Sequence, residues 1–407
     1  MRRPSLLFLA HRIPYPPNKG DKIRSFHLLN TLTRLGDVDL VTHADDPRDL
    51  AHVEKLRESC RSVTVFPLPR WTSRLRAARA VLSGEPLSVA WMTRGLARDF
   101  VHELLNERSY DAVVVYSSQG MSYLPTGCKI PVILDAVDVD SEKWAALSHG
   151  FRPSAWVAGV EARRMRRFER SAHQRSARVV LCTEREAALW SQRIGAEGVV
   201  AITNGVAQPA QMSCTNNRVS GRLVFCGAMD YEPNARAAEI AAKRVLPSLR
   251  LQRPDAHLEI VGRNPTLAVQ RLSGLPGVHV TGEVPDVSAH LAAASIALVP
   301  LELARGIQNK VLEACAHGLP VVTTPVVAQS LHESVGEALV AVPVDHMATA
   351  VAELLADPQR CEQLGVRARA FVAAHHSWSR FDTSYAELLN SVLARSEKSS
   401  EEARACR

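Results

Sequence analysis

Residues Arg305-Gly306-Ile307-Gln308-Asn309-Lys310-Val311-Leu312-Glu313-Ala314-Cys315-Ala316-His317-Gly318-Leu319-Pro320-Val321-Val322-Thr323-Thr324 decide how this chain is read. They spell a loop, a short helix, a glycine stop and a buried strand. The apolar run from Ile296 to Pro300 just before them is of strand type, so the unit is strand–loop–helix–strand. Gly318 with Pro320 soon after is the expected end of a helix. The loop brings Arg305, a glycine and the free N–H groups of a helix start to one place, which suits a phosphate. Lys310 and Glu313 are three apart and share a helix face. A cation followed one turn later by a carboxylate suits a diphosphate and a ribose diol held together, as in a nucleotide-sugar site. The same pair would also suit a plain solvated face.

The alternation of that unit runs through the whole sequence. Strand-like runs fall at 5–10, 38–43, 63–66, 112–116, 132–135, 179–182 and 199–202. Helical periodicity lies between them at 21–35, 48–59, 93–107, 155–174 and 184–193. The second half repeats the scheme, with strands at 223–226, 257–261, 278–281, 296–300, 321–324 and 339–342. Its helices fall near 236–250, 265–272, 287–294, 308–317, 326–334 and 347–356. Such alternation predicts an α/β chain with a parallel, doubly wound sheet in each half. The polar stretch 207–221 is the best linker. The expected domains are 1–205 and 206–375, then a helix at 376–395 and a tail at 396–407 too polar to pack and expected to be disordered.

A length of 407 residues fits two domains of roughly 200 residues each. With 46% hydrophobic and 22% charged residues, the composition is that of a soluble globular protein. No apolar run approaches the ~20 residues of a transmembrane helix. Leu6 to Ala10 is too short for a signal-peptide core and reads as a first strand. Eight cysteines without C-x-x-C spacing favour reduced, packed thiols in a cytoplasmic protein over a disulfide or zinc framework. Charge is uneven. Residues 1–205 hold 30 Lys and Arg against 22 Asp and Glu, whereas 206–407 hold 19 against 20. One basic cluster, Arg70, Arg74, Arg76, Arg79, Arg94 and Arg98, is interleaved with Trp71, Leu75, Leu82, Trp91 and Met92. Another is Arg163, Arg164, Arg166, Arg167, Arg170, Arg175 and Arg178. These suit an anionic membrane surface with peripheral attachment, or equally a solvated face. No nucleic-acid motif accompanies them.

Other candidate residues follow strand ends, where open α/β sheets bind ligands. In His11-Arg12-Ile13-Pro14-Tyr15-Pro16-Pro17-Asn18-Lys19-Gly20 the prolines stiffen a loop and Gly20 opens a helix, allowing close approach to phosphate. The stretch Asp135 to Trp144 is crowded with carboxylates. Asp138 there is a candidate general base or acceptor-orienting group, with Asp140 and Lys143 beside it. Asp138 and Asp140 form a D-x-D pair, which holds a divalent metal in another transferase fold. Asp140 would also serve as a helix cap. Phe225-Cys226-Gly227-Ala228-Met229-Asp230-Tyr231-Glu232-Pro233-Asn234 is a strand, a glycine turn and a helix start. Arg263 stands just past a strand end, and Asn204-Gly205 forms a turn at the domain crossover.

The 305–324 stretch resembles the donor-binding element of GT-B glycosyltransferases of the large retaining family 4 type. There the residue matching Glu313 hydrogen-bonds the ribose. The usual pattern is Glu, seven residues, Glu, and its first position falls here on Arg305, which meets phosphate more naturally. The 11–24 loop resembles the glycine loop of the same enzymes, and 203–206 resembles their crossover turn. Taken as an ordered set over roughly 5–390, PYPPNKGDKIR, DAVDVDSEKW, FCGAMDYEPN and RGIQNKVLEA resemble sugar transferases of PEP-CTERM/exosortase exopolysaccharide systems in Gram-negative bacteria.

The resemblance implies two Rossmann-like domains facing a cleft, with the last helix crossing back to the first. It implies a retaining, metal-independent hexosyltransferase that moves sugar from a nucleotide diphosphate sugar, a co-substrate and not a cofactor, to a lipid-linked or saccharide acceptor. Donor contacts would come from Gly20, Gly227, Arg263, Arg305, Lys310 and Glu313, and no metal site is expected. Two other readings remain open at this point: a nucleotide-sugar 2-epimerase of the same fold, and a non-catalytic saccharide-binding or assembly protein. A dinucleotide oxidoreductase is disfavoured, because no G-x-G-x-x-G follows any strand.

Overall fold

A computed structural model describes residues 2–68, 84–93, 95–148, 153–209, 218–304 and 306–405, without the side chains of 153, 333 and 397–405. The chain forms two compact units, Met1–Ile202 with Asp382–Arg407, and Thr203–Phe381. Arg305, most of the first basic cluster and most of the linker lie outside the described residues.

The first unit is built on seven parallel strands: β1 (Ser5–Ala10), β2 (Asp37–Ala44), β3 (Ser62–Pro67), β4 (Ala112–Tyr116), β5 (Val132–Val137), β6 (Arg178–Leu181) and β7 (Val199–Ala201). Their order is β3-β2-β1-β4-β5-β6-β7. The second unit has six, β8 (Arg222–Cys226), β9 (His257–Val261), β10 (Val278–Gly282), β11 (Ile296–Val299), β12 (Val321–Thr323) and β13 (Val340–Ala341), in the order β10-β9-β8-β11-β12-β13. Both are doubly wound Rossmann-like sheets. Helices cover both faces, so central strands such as β1 and β4 are buried at every position and almost wholly apolar. The order reverses between β1 and β4 and between β8 and β11. Loops leaving the carboxyl ends there turn to opposite faces and open a crevice, the usual ligand position in such sheets.

Several local expectations change in the fold. The helix expected at 48–59 is a 3-10 turn, Pro47–His52, followed by Val53–Arg57. The helix expected at 265–272 keeps only Leu267–Gln270 as α-helix, because Pro265 and Gly274 flank a short apolar run. An unforeseen helix, Leu87–Met92, is capped from elsewhere. The buried Glu161 carboxylate accepts Leu87 N at 2.8 Å and Ser88 N at 2.9 Å. The last helix is drawn from Trp378 to Ala405, so the tail expected to be disordered continues it. Extension of a formed helix needs no new nucleus, and its Glu, Lys, Arg and Ala residues are good helix formers. Within the first unit that helix is tied by Asp382 to Arg34 at 2.7 Å and by the Tyr385 hydroxyl to Asp135. Asp135 in turn meets the buried Arg24 at 3.0 Å.

Candidate functional site

In the second unit the crevice at the switch point is formed by the loops after β8 and β11. Gly262, past β9, lies so close to the β8 turn that a Cβ on it would stand 1.7 Å from the Gly227 carbonyl oxygen. Only glycine permits that approach. A Cβ on Gly227 would meet the Asn234 amide at 2.8 Å. Asn234, buried in the first turn of the helix Glu232–Ile240, donates Nδ2 to the Ala228 carbonyl at 3.0 Å. Its Oδ1 accepts from Lys310 Nζ at 2.5 Å.

Lys310 and Glu313 lie on the helix Asn309–Ala316. The ammonium of Lys310 stands 5.3 Å from the Phe225 ring centroid, a cation–π contact. Burial lowers Lys310 to about 8, against the pull of Cys226 and Glu313. One turn on, burial pushes the Glu313 carboxyl up to about 7. Lys310 opposes that rise and Asp286 adds to it. The Glu313 carboxylate has no hydrogen bond or ion pair among the described residues, although it is partly buried. A partly buried carboxylate without a protein donor can accept from hydroxyl or N–H groups. Lys310 keeps its charge near neutrality, and an anion beside it would hold the proton more firmly. Asn309 is fixed by Asn204, whose Nδ2 donates at 3.1 Å. Arg263 follows β9, partly buried, and its guanidinium has no partner among the described residues. Its backbone carbonyl accepts Met229 N at 2.9 Å. Thus Gly227, Arg263, Lys310 and Glu313 come together at one end of the second sheet, while Arg305 lies outside the described residues.

The carboxyl edge of the first sheet carries the other candidates. Gly20 starts the helix Gly20–Leu35, and Asp21 in its first turn meets Arg12 at 2.7 Å and His11 at 3.4 Å. Burial alone would raise Asp21, but His11 and Arg12 hold it far below the ordinary range. Lys22 and Arg24 serve the fold: Lys22 is buried on Asp49 at 2.6 Å, and Arg24 on Asp135. Ser117 after β4 has φ 73° and Val137 at the end of β5 has φ 69°. Left-handed backbone at non-glycine residues on two neighbouring strand ends is a local strain of the kind found at binding sites.

Asp138 follows directly. Its carboxylate accepts from Lys143 at 2.9 Å and from the Cys182 thiol at 3.0 Å. Lys143 bridges to Asp140 at 3.1 Å, and Gln119 donates to Asp140 at 3.1 Å. Burial works to raise Asp138, but Lys143 and Cys182 outweigh it and keep the carboxyl below its ordinary value. Asp138 is therefore held as an anion with little basicity to give. The segment is held from behind by Glu186 on Val139 N at 2.9 Å and Glu169 on Ser141 N at 3.1 Å. Burial, with Asp140 adding to it, lifts Glu169 to about 8. Among the described residues, no group of three His, Cys, Asp or Glu is placed to hold a metal ion.

Sequence reading passed over Asn234, Asn309 and the His11–Arg12–Asp21 cluster. Asn234 stood at the end of a quoted motif, one residue after a helix-starting proline. Nothing in the sequence marks the strain at Ser117 and Val137.

Comparison with known proteins bears on this geometry. Residues 220–357 match the family model described as Glycosyl transferases group 1. The GDP-mannose-dependent alpha-(1-6)-phosphatidylinositol monomannoside mannosyltransferase of Mycolicibacterium smegmatis is 34% identical over 163 residues. That match takes in 36% of this chain and 43% of the relative, less than half its length. Sucrose-phosphate synthase from Thermosynechococcus elongatus is 18% identical with a TM-score of 0.70, over 97% of this chain and 100% of that one. Anabaena HepE in complex with UDP and glucose is 17% identical with a TM-score of 0.63, over 95% and 100%. Residues 220–357, which include the Gly227, Arg263, Lys310 and Glu313 crevice, are thus similar to group 1 glycosyl transferases, on a chain whose fold is the GT-B fold.

Proposed function

We propose that the protein is a glycosyltransferase that takes a sugar from a nucleotide diphosphate sugar to a lipid-linked or saccharide acceptor. The observation that carries this reading is the unpartnered, partly buried Glu313 carboxylate, one turn from Lys310 and inside the matched segment. Glu313 would accept the ribose hydroxyls. Lys310, Arg263 and Arg305, with the close backbone at Gly227, would meet the diphosphate without a divalent ion. Gly20, at the start of its helix in the first domain, would offer backbone N–H groups to an anionic group of a substrate. The strained first-domain edge would receive the acceptor, with Asp138 orienting the reacting hydroxyl and Asp140 and Lys143 fixing Asp138. Catalysis would rest on stabilising the departing diphosphate and on positioning. Retention of configuration and a role in exopolysaccharide synthesis follow from the family resemblance and belong to this proposal.

The mannosyltransferase relative makes GDP-mannose the first donor to try, and the UDP complex of HepE makes UDP-glucose the second. A thermal-shift panel of nucleotide sugars tests the reading. A ligand at 100 times its dissociation constant stabilises by about 2.7 kcal/mol. Failure of every nucleotide and nucleotide sugar to shift the melting temperature would sink it. Turnover of donor without acceptor would instead indicate an epimerase.

A peripheral membrane position is part of the proposal. Trp156 is 73% exposed on the helix Pro153–Gln174, which also carries Arg163, Arg164 and Arg167. No helix among the described residues is long and apolar enough to cross a membrane. Binding to vesicles rich in phosphatidylglycerol that weakens from low to physiological salt is the expected result. Absence of binding on such vesicles would leave the arginines as a solvated face.

A further inference from the structure

The stop of the 309–316 helix brings two arginines together. Gly318 has φ 63°, which turns the chain out of the helix. The helix Pro358–His375 passes so close behind it that a Cβ on Gly365 would stand 2.2 Å from the Gly318 carbonyl oxygen. One turn further along that helix, Arg369 reaches over the same glycine, and a Cβ on Gly318 would meet Arg369 Nη2 at 2.7 Å. Arg218, four residues before β8, donates Nη2 to the Gly318 carbonyl at 2.7 Å and to the His317 carbonyl at 3.4 Å. Two guanidinium groups therefore converge on one residue.

No carboxylate pairs with either of them among the described residues. The positions a turn away from Arg369 on its own helix are Gly365, Val366, Val372 and Ala373, and residues 210–217, just before Arg218, include no acid. The Nε atoms of both arginines are buried without an acceptor. Burial, and then Arg369, lower the basicity of Arg218. The helix end supplies only about half a negative charge against two full positive ones. Like charges held together partly out of water, with N–H groups unmet, are unfavourable until an anion joins them. The planar fork of a guanidinium matches the oxygens of a phosphate.

We propose that Arg218 and Arg369, over Gly318, form a binding site for a phosphate group, either free phosphate or the head of a phosphomonoester. The site lies at the opposite end of the 309–316 helix from Lys310 and does not depend on the nucleotide-sugar reading. Occupancy ties the segment before β8 to the 358–375 helix across the helix stop.

Inorganic phosphate and glycerol 3-phosphate, each titrated at fixed ionic strength against chloride, test this by calorimetry and melting temperature. The full chain and Lys310→Ala should both bind. Arg369→Gln should bind about tenfold more weakly or worse, the loss expected for a charge-assisted hydrogen bond. Arg369→Lys, which keeps the charge, should bind more tightly than Arg369→Gln and guards against a loss of folding. Tighter binding of the ester identifies a phosphorylated metabolite as the source, and tighter binding of inorganic phosphate identifies the free ion. No binding by the full chain overturns the proposal, as does equal binding by Arg369→Gln. Loss of phosphate binding in Lys310→Ala alone would place the anion at the crevice and also overturn it. The nucleotide-sugar panel is unaffected by any of these results.

Discussion

Replacing Glu313 by Gln should stabilise the ligand-free protein while weakening its hold on nucleotide. Burial raises the Glu313 carboxyl from 4.5 to about 7. Between those values the folded state holds a proton that the unfolded state releases. Stability therefore falls as pH rises through that window and stays lower above it. Each factor of ten in that equilibrium is worth about 1.4 kcal/mol, which bounds the effect at roughly 3.4 kcal/mol. Partial exposure of the side chain discounts this to about 1–2 kcal/mol. Glutamine carries no charge to desolvate. The gain should thus be absent near pH 4.5 and grow toward pH 7. In melting temperature it amounts to roughly 2–8 °C for a domain of this size. Glu313 also helps to hold the Lys310 proton, so the difference is read between pH 4.5 and 7, below the Lys310 titration. Melting curves of both proteins from pH 4.5 to 8.5 without ligand, then with nucleotide, make the measurement. Nucleotide affinity should fall about tenfold in the variant, since a neutral amide makes weaker bonds to hydroxyls. Parallel melting profiles across the whole range would refute the desolvated carboxylate, and unchanged affinity would remove Glu313 from the site.

Lys310→Ala should reduce donor affinity about tenfold or more and lower turnover with it, whereas wild-type binding should be unchanged in EDTA. A nucleotide that bound only with manganese would overturn the metal-free crevice. Asp138→Asn should depress turnover with nucleotide affinity nearly intact, because its partners Lys143 and Cys182 belong to the first domain. Equal loss of both in steady-state kinetics and calorimetry would remove Asp138 from the acceptor side. Gly365→Ala should destabilise by about 1–3 kcal/mol, because its Cβ would be forced onto a backbone carbonyl at 2.2 Å. A melting temperature equal to or above the parent's would show that the helices can move apart at no cost.

Period and punctuation were enough to place every strand of both sheets in the sequence, because buried parallel strands are unbroken apolar runs that glycine and proline delimit. They also set Lys310 and Glu313 on one helix face and put the Gly227 and Gly262 turns after strand ends. Sequence could not show that Asn234 would reach Lys310, 76 residues away. Nor could it show that Glu161 would cap a helix 74 residues earlier. Such contacts belong to pairs chosen by packing, and no local propensity records them. The protonation states are of the same kind. Glu313 near 7 and Asp138 below its ordinary value are both carboxylates, one within a helix and one just past a strand end, and neither sequence position announces its shift. One faces a buried place with no donor and the other faces Lys143 and a thiol. The sequence alone determined the strands of both sheets and where the crevice falls; the tertiary structure decided which charges are met and which are left unmet, because desolvation and partner distance exist only once the chain has folded.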